Sequence, residues 1–163
     1  MGQEYELDVL LSLREKAKDE AEDNVAAQIA QGHALERARV QAVEALEQAV
    51  EARKAACQRF DRKVAAQGTN MAAMRQFDDY LRGLKAHEVQ LGAAIEQARL
   101  AVVEQQQIID AAQATLIESV RELKAVESHH EAWLKEQRTI AQRKQSHAMD
   151  DIAARLWREN NEH

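Results

Sequence analysis

The sequence predicts an all-α protein: a long antiparallel two-helix coiled coil, a helical hairpin whose second helix is longer than its first. Three observations carry that fold class. Pro is absent from the 163 residues and aromatics make up only 4%, so nothing forces a helix to stop and little is at hand to fill a globular core. Stepping alternately by four and three residues from Leu84 reaches Leu91, Ile95, Ala98, Val102, Ile109, Ala112, Leu116, Leu123, Val126, Trp133 and Ile140, a coiled-coil seam. One stretch, Ala65 to Ala73, breaks the helical pattern.

Helix 1 is predicted over about 5–66. Its opening, Y-E-L-D-V-L-L-S-L-R-E-K-A from Tyr5, places Leu7, Leu10, Ala17 and Ala21 on one stripe with Leu11 and Leu13 beside it, and Glu4, Glu6 and Asp8 suit the positive end of the macrodipole. From Val25 a heptad register takes over through Ile29, Val43, Leu46, Val50, Cys57, Phe60 and Val64, broken by Gly32, Glu36, Arg39 and Arg53. The change of register before Val25 predicts a local stutter.

The turn is predicted at about 67–73, where Gly68 suits the left-handed cap position and Thr69 or Asn70 suits the cap of the next helix. Helix 2 is predicted over about 74–160. Gly83 and Gly92 lie inside it at about 1 kcal/mol each relative to Ala, but seam residues on both sides keep it continuous. Its seam is interrupted by Glu88, Gln105, Ser119, His130 and Gln137. The chain, 1–163, reads as a single coiled-coil domain.

Rise per residue predicts helices of roughly 90 and 130 Å. Folded at the turn, Tyr5 is expected near Glu136, leaving 137–160 as an overhang of roughly 35 Å without an intrachain partner. That overhang bears Arg138, Arg143, Lys144, Arg155 and Arg158 against Asp150, Asp151 and Glu159, and also Met149, Ile152, Ala153, Leu156 and Trp157. A solvent-facing apolar set of this kind points to another protein as its cover.

The net charge of −6, with acidic and basic residues interleaved, gives no basic patch, so nucleic acid is not an expected partner. The single Cys57 excludes an intramolecular disulfide and fits a reducing cytoplasm. Residues Met1 to Asp8 lack the basic and apolar regions of a signal peptide, and no run approaches the roughly 18 apolar residues of a membrane span. Neither export by a leader nor direct membrane insertion is expected.

No catalytic constellation emerges, and no enzyme activity or cofactor is expected. His129-His130-Glu131 approaches a zinc-protease motif, but Leu134 stands where the second His belongs. His130 is expected at a polar seam step and His129 in solvent, with His33, His87, His147 and His163 at the surface. The adjacent carboxylates Asp78-Asp79 and Asp150-Asp151 diverge by about 100° on a helix and cannot converge on one atom. The five glycines form no phosphate loop. Phe77, Tyr80, Leu81 and Leu84 collect just after the turn, where they read both as a plug closing the hairpin and as a recognition patch. Trp133 reads as core, and Trp157 as a partner contact.

The opening Y-E-L-D-V-L-L-S-L-R-E-K-A-K-D-E-A, the post-turn Q-F-D-D-Y-L-R-G-L and the closing R-K-Q-S-H-A-M-D-D-I-A-A-R together resemble the flagellar export protein family FliJ, and more distantly the stalk proteins of non-flagellar type III secretion systems. The resemblance spans nearly the whole chain and rests on the order and spacing of individually weak motifs. It implies a cytoplasmic stalk, peripherally associated with the inner-membrane export apparatus, that enters and activates a hexameric export ATPase. It also implies contacts with an export-gate membrane protein and with export chaperones. Carried over, the ATPase-facing residues would be Leu7, Leu10, Leu11, Leu13 and Arg14 with Arg143, Lys144, Met149, Asp150, Asp151, Ala153 and Arg155. The gate-facing residues would be Phe77, Tyr80 and Leu84, with Phe60 as the helix 1 contribution. The rival readings are an injectisome stalk, a generic homodimeric scaffold without an ATPase partner, and a secreted helical chaperone, which the missing leader disfavours.

Overall fold

The computed structural model describes residues 4–162; His163, expected at the surface, and Met1 to Gln3 lie outside them. Among the described residues there are two helices and no strand: α1, Asp8–Gln67, of 60 residues, and α2, Met71–Asn161, of 91. This is the predicted helical hairpin with the longer second helix, and α2 runs unbroken through Gly83 and Gly92.

Three residues make the turn, fewer than the seven expected. Gly68 takes φ +71°, a left-handed conformation open to Gly without strain, and its N–H donates to the Val64 carbonyl at 2.8 Å. Asn70 then caps α2 at once, its Oδ1 accepting the Ala73 N–H at 2.8 Å, so the helix begins at Met71. A cap of this kind contributes about 1 kcal/mol.

The chain packs as two units. In the unit Asp23–Gln113 the helices are antiparallel: Phe60 stacks on Phe77, Arg53 pairs with Glu88, and Gln105 Nε2 donates at 2.9 Å to both the carbonyl and Oε1 of Gln28. The covered positions of α2 here step by four and three from Phe77 through Leu81, Leu84, Glu88, Leu91, Ile95, Ala98, Val102, Gln105, Ile109 and Ala112. Gly32, which interrupts the apolar stripe in sequence, is a point of close approach: a Cβ there would stand 3.1 Å from Ile109 Cδ1. Glu36 and Arg39 bind each other along α1, which lets two charges occupy half-covered steps.

The second unit joins the residues up to Glu22 with those from Ala114 onward. Here Arg14 pairs with Glu122, and Ala21, Leu123 and Val126 are buried. The covered steps of α1 run Arg14, Lys18, Ala21, Val25 at intervals of four and three, so the expected stutter before Val25 does not occur. Buried Tyr5 packs on His130 and Trp133 at ring separations of 4.5 and 5.3 Å, and its hydroxyl sits 2.7 Å from His129 Nδ1. Tyr5 was expected opposite Glu136. The shorter turn accounts for the difference, because in an antiparallel pair each residue by which the turn moves displaces the facing residue by two.

The seam of α2 is covered through Gln137 and then ends; Ile140, the last step expected of it, is exposed. No side chain among the described residues is wholly enclosed, as expected of two helices sharing one narrow stripe.

Candidate partner-binding surfaces

Within the second unit, the residues that the resemblance assigns to one ATPase-facing end fall into two groups. Leu7, Leu10, Leu11 and Arg14 are half-covered by α2, and the Arg14 guanidinium is engaged by Glu122, while Leu13 points outward at 58% exposure. Arg143, Lys144, Met149, Asp150, Asp151, Ala153 and Arg155 lie farther along α2, in a stretch where every residue from Arg138 to Glu162 is exposed. From Trp133, which packs on Tyr5, the helix rises roughly 15 Å to Arg143 and roughly 33 Å to Arg155. The two groups are therefore not side by side. Among the described residues nothing covers this tail, and Trp157 is 67% exposed.

The tail's charge is uneven. From Arg138 to Met149 there are three basic residues and no acidic one, and only beyond do Asp150, Asp151, Glu159 and Glu162 interleave with Arg155 and Arg158. The first half thus presents positive charge that salt screens over about 10 Å.

In the Asp23–Gln113 unit three of the four gate-assigned residues come together. The rings of Phe60 and Phe77 lie 3.9 Å apart and within 5° of parallel, and Tyr80 follows Phe77 at 6.3 Å, tilted and 52% exposed. Leu81 and Leu84 continue the covered side. Phe60 and Phe77 close the helix pair, as the plug reading expects, and Tyr80 leaves a ring face in solvent.

His129, expected to be only solvated, carries the Tyr5 hydroxyl contact, and a groove of ≈ 510 Å³ opens beside it between Glu4, Tyr5, Glu6, Leu7 and Trp133. No three His, Cys, Asp or Glu side chains among the described residues converge at metal-binding range. Sequence reasoning also missed an outward stripe on α2, where Val89, Leu100 and Val103 are exposed. Its signal was present, because these residues share helical spacing, but the stronger seam masks it. No helix of the described residues is long and apolar enough to cross a membrane.

No curated protein and no solved structure matches the chain. The family model for YscO-like proteins matches residues 2–163, so it covers the opening, the post-turn and the closing segments together. The chain therefore belongs to the YscO-like family.

Proposed function

We propose that this chain is a stalk component of a type III protein export apparatus, working in the cytoplasm against a hexameric export ATPase. The observation that carries the reading is the tail of α2, exposed on every side from Arg138 to Glu162 and still bearing Met149, Ile152, Leu156 and Trp157. A single slender helix with a basic first half suits insertion into a ring, where salt-screened attraction to acidic loops permits slippage among equivalent sites. Membership of the YscO-like family supports type III secretion and favours the non-flagellar version. In this reading the stalk has no chemistry of its own; it biases the conformations of the ring subunits. The Phe60, Phe77, Tyr80 and Leu84 cluster is the proposed contact for an export-gate membrane protein, and export chaperones are further partners.

The test is ATP turnover by the purified cognate ATPase with and without this chain, over a range of salt. Stimulation that fades with salt and is lost in Trp157→Asp is expected. No stimulation at any salt, with hexamer formation unchanged, removes the mechanism.

A further inference from the structure

Along α2 of the Asp23–Gln113 unit the covered residues fall on two lines that each repeat every seven. One runs Phe77, Leu84, Leu91, Ala98, Gln105 and Ala112, the other Leu81, Glu88, Ile95, Val102 and Ile109. Each line has a single polar member. An otherwise apolar heptad line matches itself when slid by seven residues, so apolar burial alone does not choose between the observed alignment and its neighbours.

Both polar members have a dedicated partner on α1. Gln105, 6% exposed, gives its amide to the Gln28 carbonyl and to Gln28 Oε1, and Gln28 Nε2 in turn donates to Asn24 Oδ1 at 3.3 Å. Glu88 accepts from Arg53 Nε, their side chains 17% and 26% exposed. Gly32 adds a steric match, since Ile109 Cδ1 comes within 3.1 Å of where its Cβ would stand. A slip of one heptad either way would set Glu88 against Phe60 or Leu46, Gln28 against Ala112 or Ala98, and Ile109 against Arg39 or Val25. All three matches would be lost in the same move, and a covered charge or amide left without its partner is strongly disfavoured. The turn does not do this alone. It holds one glycine at positive φ and one capping bond, and with Pro absent the helix ends are free to move along the chain.

We propose that Gln28 with Gln105 and Arg53 with Glu88 form a register lock, holding this helix pair in one of the several alignments that its apolar residues allow. The lock keeps Phe77 beside Phe60 and so gives the exposed ring of Tyr80 one position relative to α1. The inference stands apart from the stalk reading, since it is measured on the chain alone.

The alignment is read by the distance between spin labels at Gln48→Cys and Val103→Cys, both exposed positions, in a Cys57→Ala background diluted with unlabelled chain. Gln48 and Val89 lie equally far from the Phe60 and Phe77 stack, so Val103 stands roughly 21 Å farther along the axis, and a slip of one heptad changes that offset by roughly 10 Å. The chain with its natural lock should give one narrow distance. With Gln28, Arg53, Glu88 and Gln105 all replaced by Leu, helix content by circular dichroism should be unchanged and a second population should appear, displaced by the heptad offset. A second variant, Glu88→Leu with Ile95→Glu and Gln105→Ala with Ala112→Gln, carries both polar members one heptad along and should move the main population to the shorter offset of roughly 10 Å. A single unchanged distance in either variant overturns the proposal, as does more than one distance with the natural lock in place.

Discussion

Moving one methyl group across the seam of the Asp23–Gln113 unit tests the packing at its tightest point. A Cβ on residue 32 would meet Ile109 Cδ1 at 3.1 Å, closer than ordinary van der Waals contact, while its next neighbour, Gln105 Cγ, is at a comfortable 3.8 Å. Gly32→Ala alone gains about 1 kcal/mol of helix propensity and loses about as much in pushing the buried Ile109 aside; it should change stability little. Ile109→Val alone deletes Cδ1 and should cost about 1 kcal/mol. Together, the new methyl occupies the space of the deleted one. Only the propensity gain survives, and the double variant should be more stable than the natural chain by about 1 kcal/mol, a coupling of about 2 kcal/mol. Urea unfolding of all four chains, followed by circular dichroism, gives the cycle. Additive changes would refute the close approach of the two helices at Gly32.

Gln105→Ala removes two hydrogen bonds to Gln28 at about 1 kcal/mol each and should destabilise by roughly 2 kcal/mol in the same assay, whereas Gln105→Met, which keeps the volume, should destabilise less. Gly83→Ala, exposed and with nothing within 4 Å of the new Cβ, should stabilise by about 1 kcal/mol. The hydrogen bond from Arg39 holds the Glu36 carboxyl below its ordinary value. Its stabilising contribution is therefore complete above the ordinary carboxylate range and is lost as pH falls through the lowered value. Glu36→Gln should be less stable than the natural chain at neutral pH, with the gap closing in strong acid, as read by melting temperature against pH.

Most of the fold was legible because one period governs it. The three-and-four stepping from Leu84 names the covered side of α2, including its polar members, down to Gln137. What it could not supply was the end point, because the turn length that sets the facing residue of Tyr5 depends on whether Thr69 or Asn70 takes the cap. The stutter was inferred from side-chain type: Arg14 and Lys18 do not look like seam residues, yet both are half-covered at the right spacing, Arg14 paired with Glu122. Gly32 looked like a defect for the same reason, since sequence shows the missing side chain but not the Ile109 methyl that fills its place. At the candidate surfaces, the Phe60 and Phe77 stack follows from their symmetric placement about the turn. The separation of Leu7 and its neighbours from the tail follows only from the packing of Tyr5 on His130 and Trp133.

That no side chain is wholly enclosed has a mechanical corollary. Each layer of the zipper is held by its own few contacts and by the layers next to it, so a few turns part at small free energy without loosening the remainder. A binder arriving at either unit meets a lattice of small independent latches, and it has to undo only those it replaces.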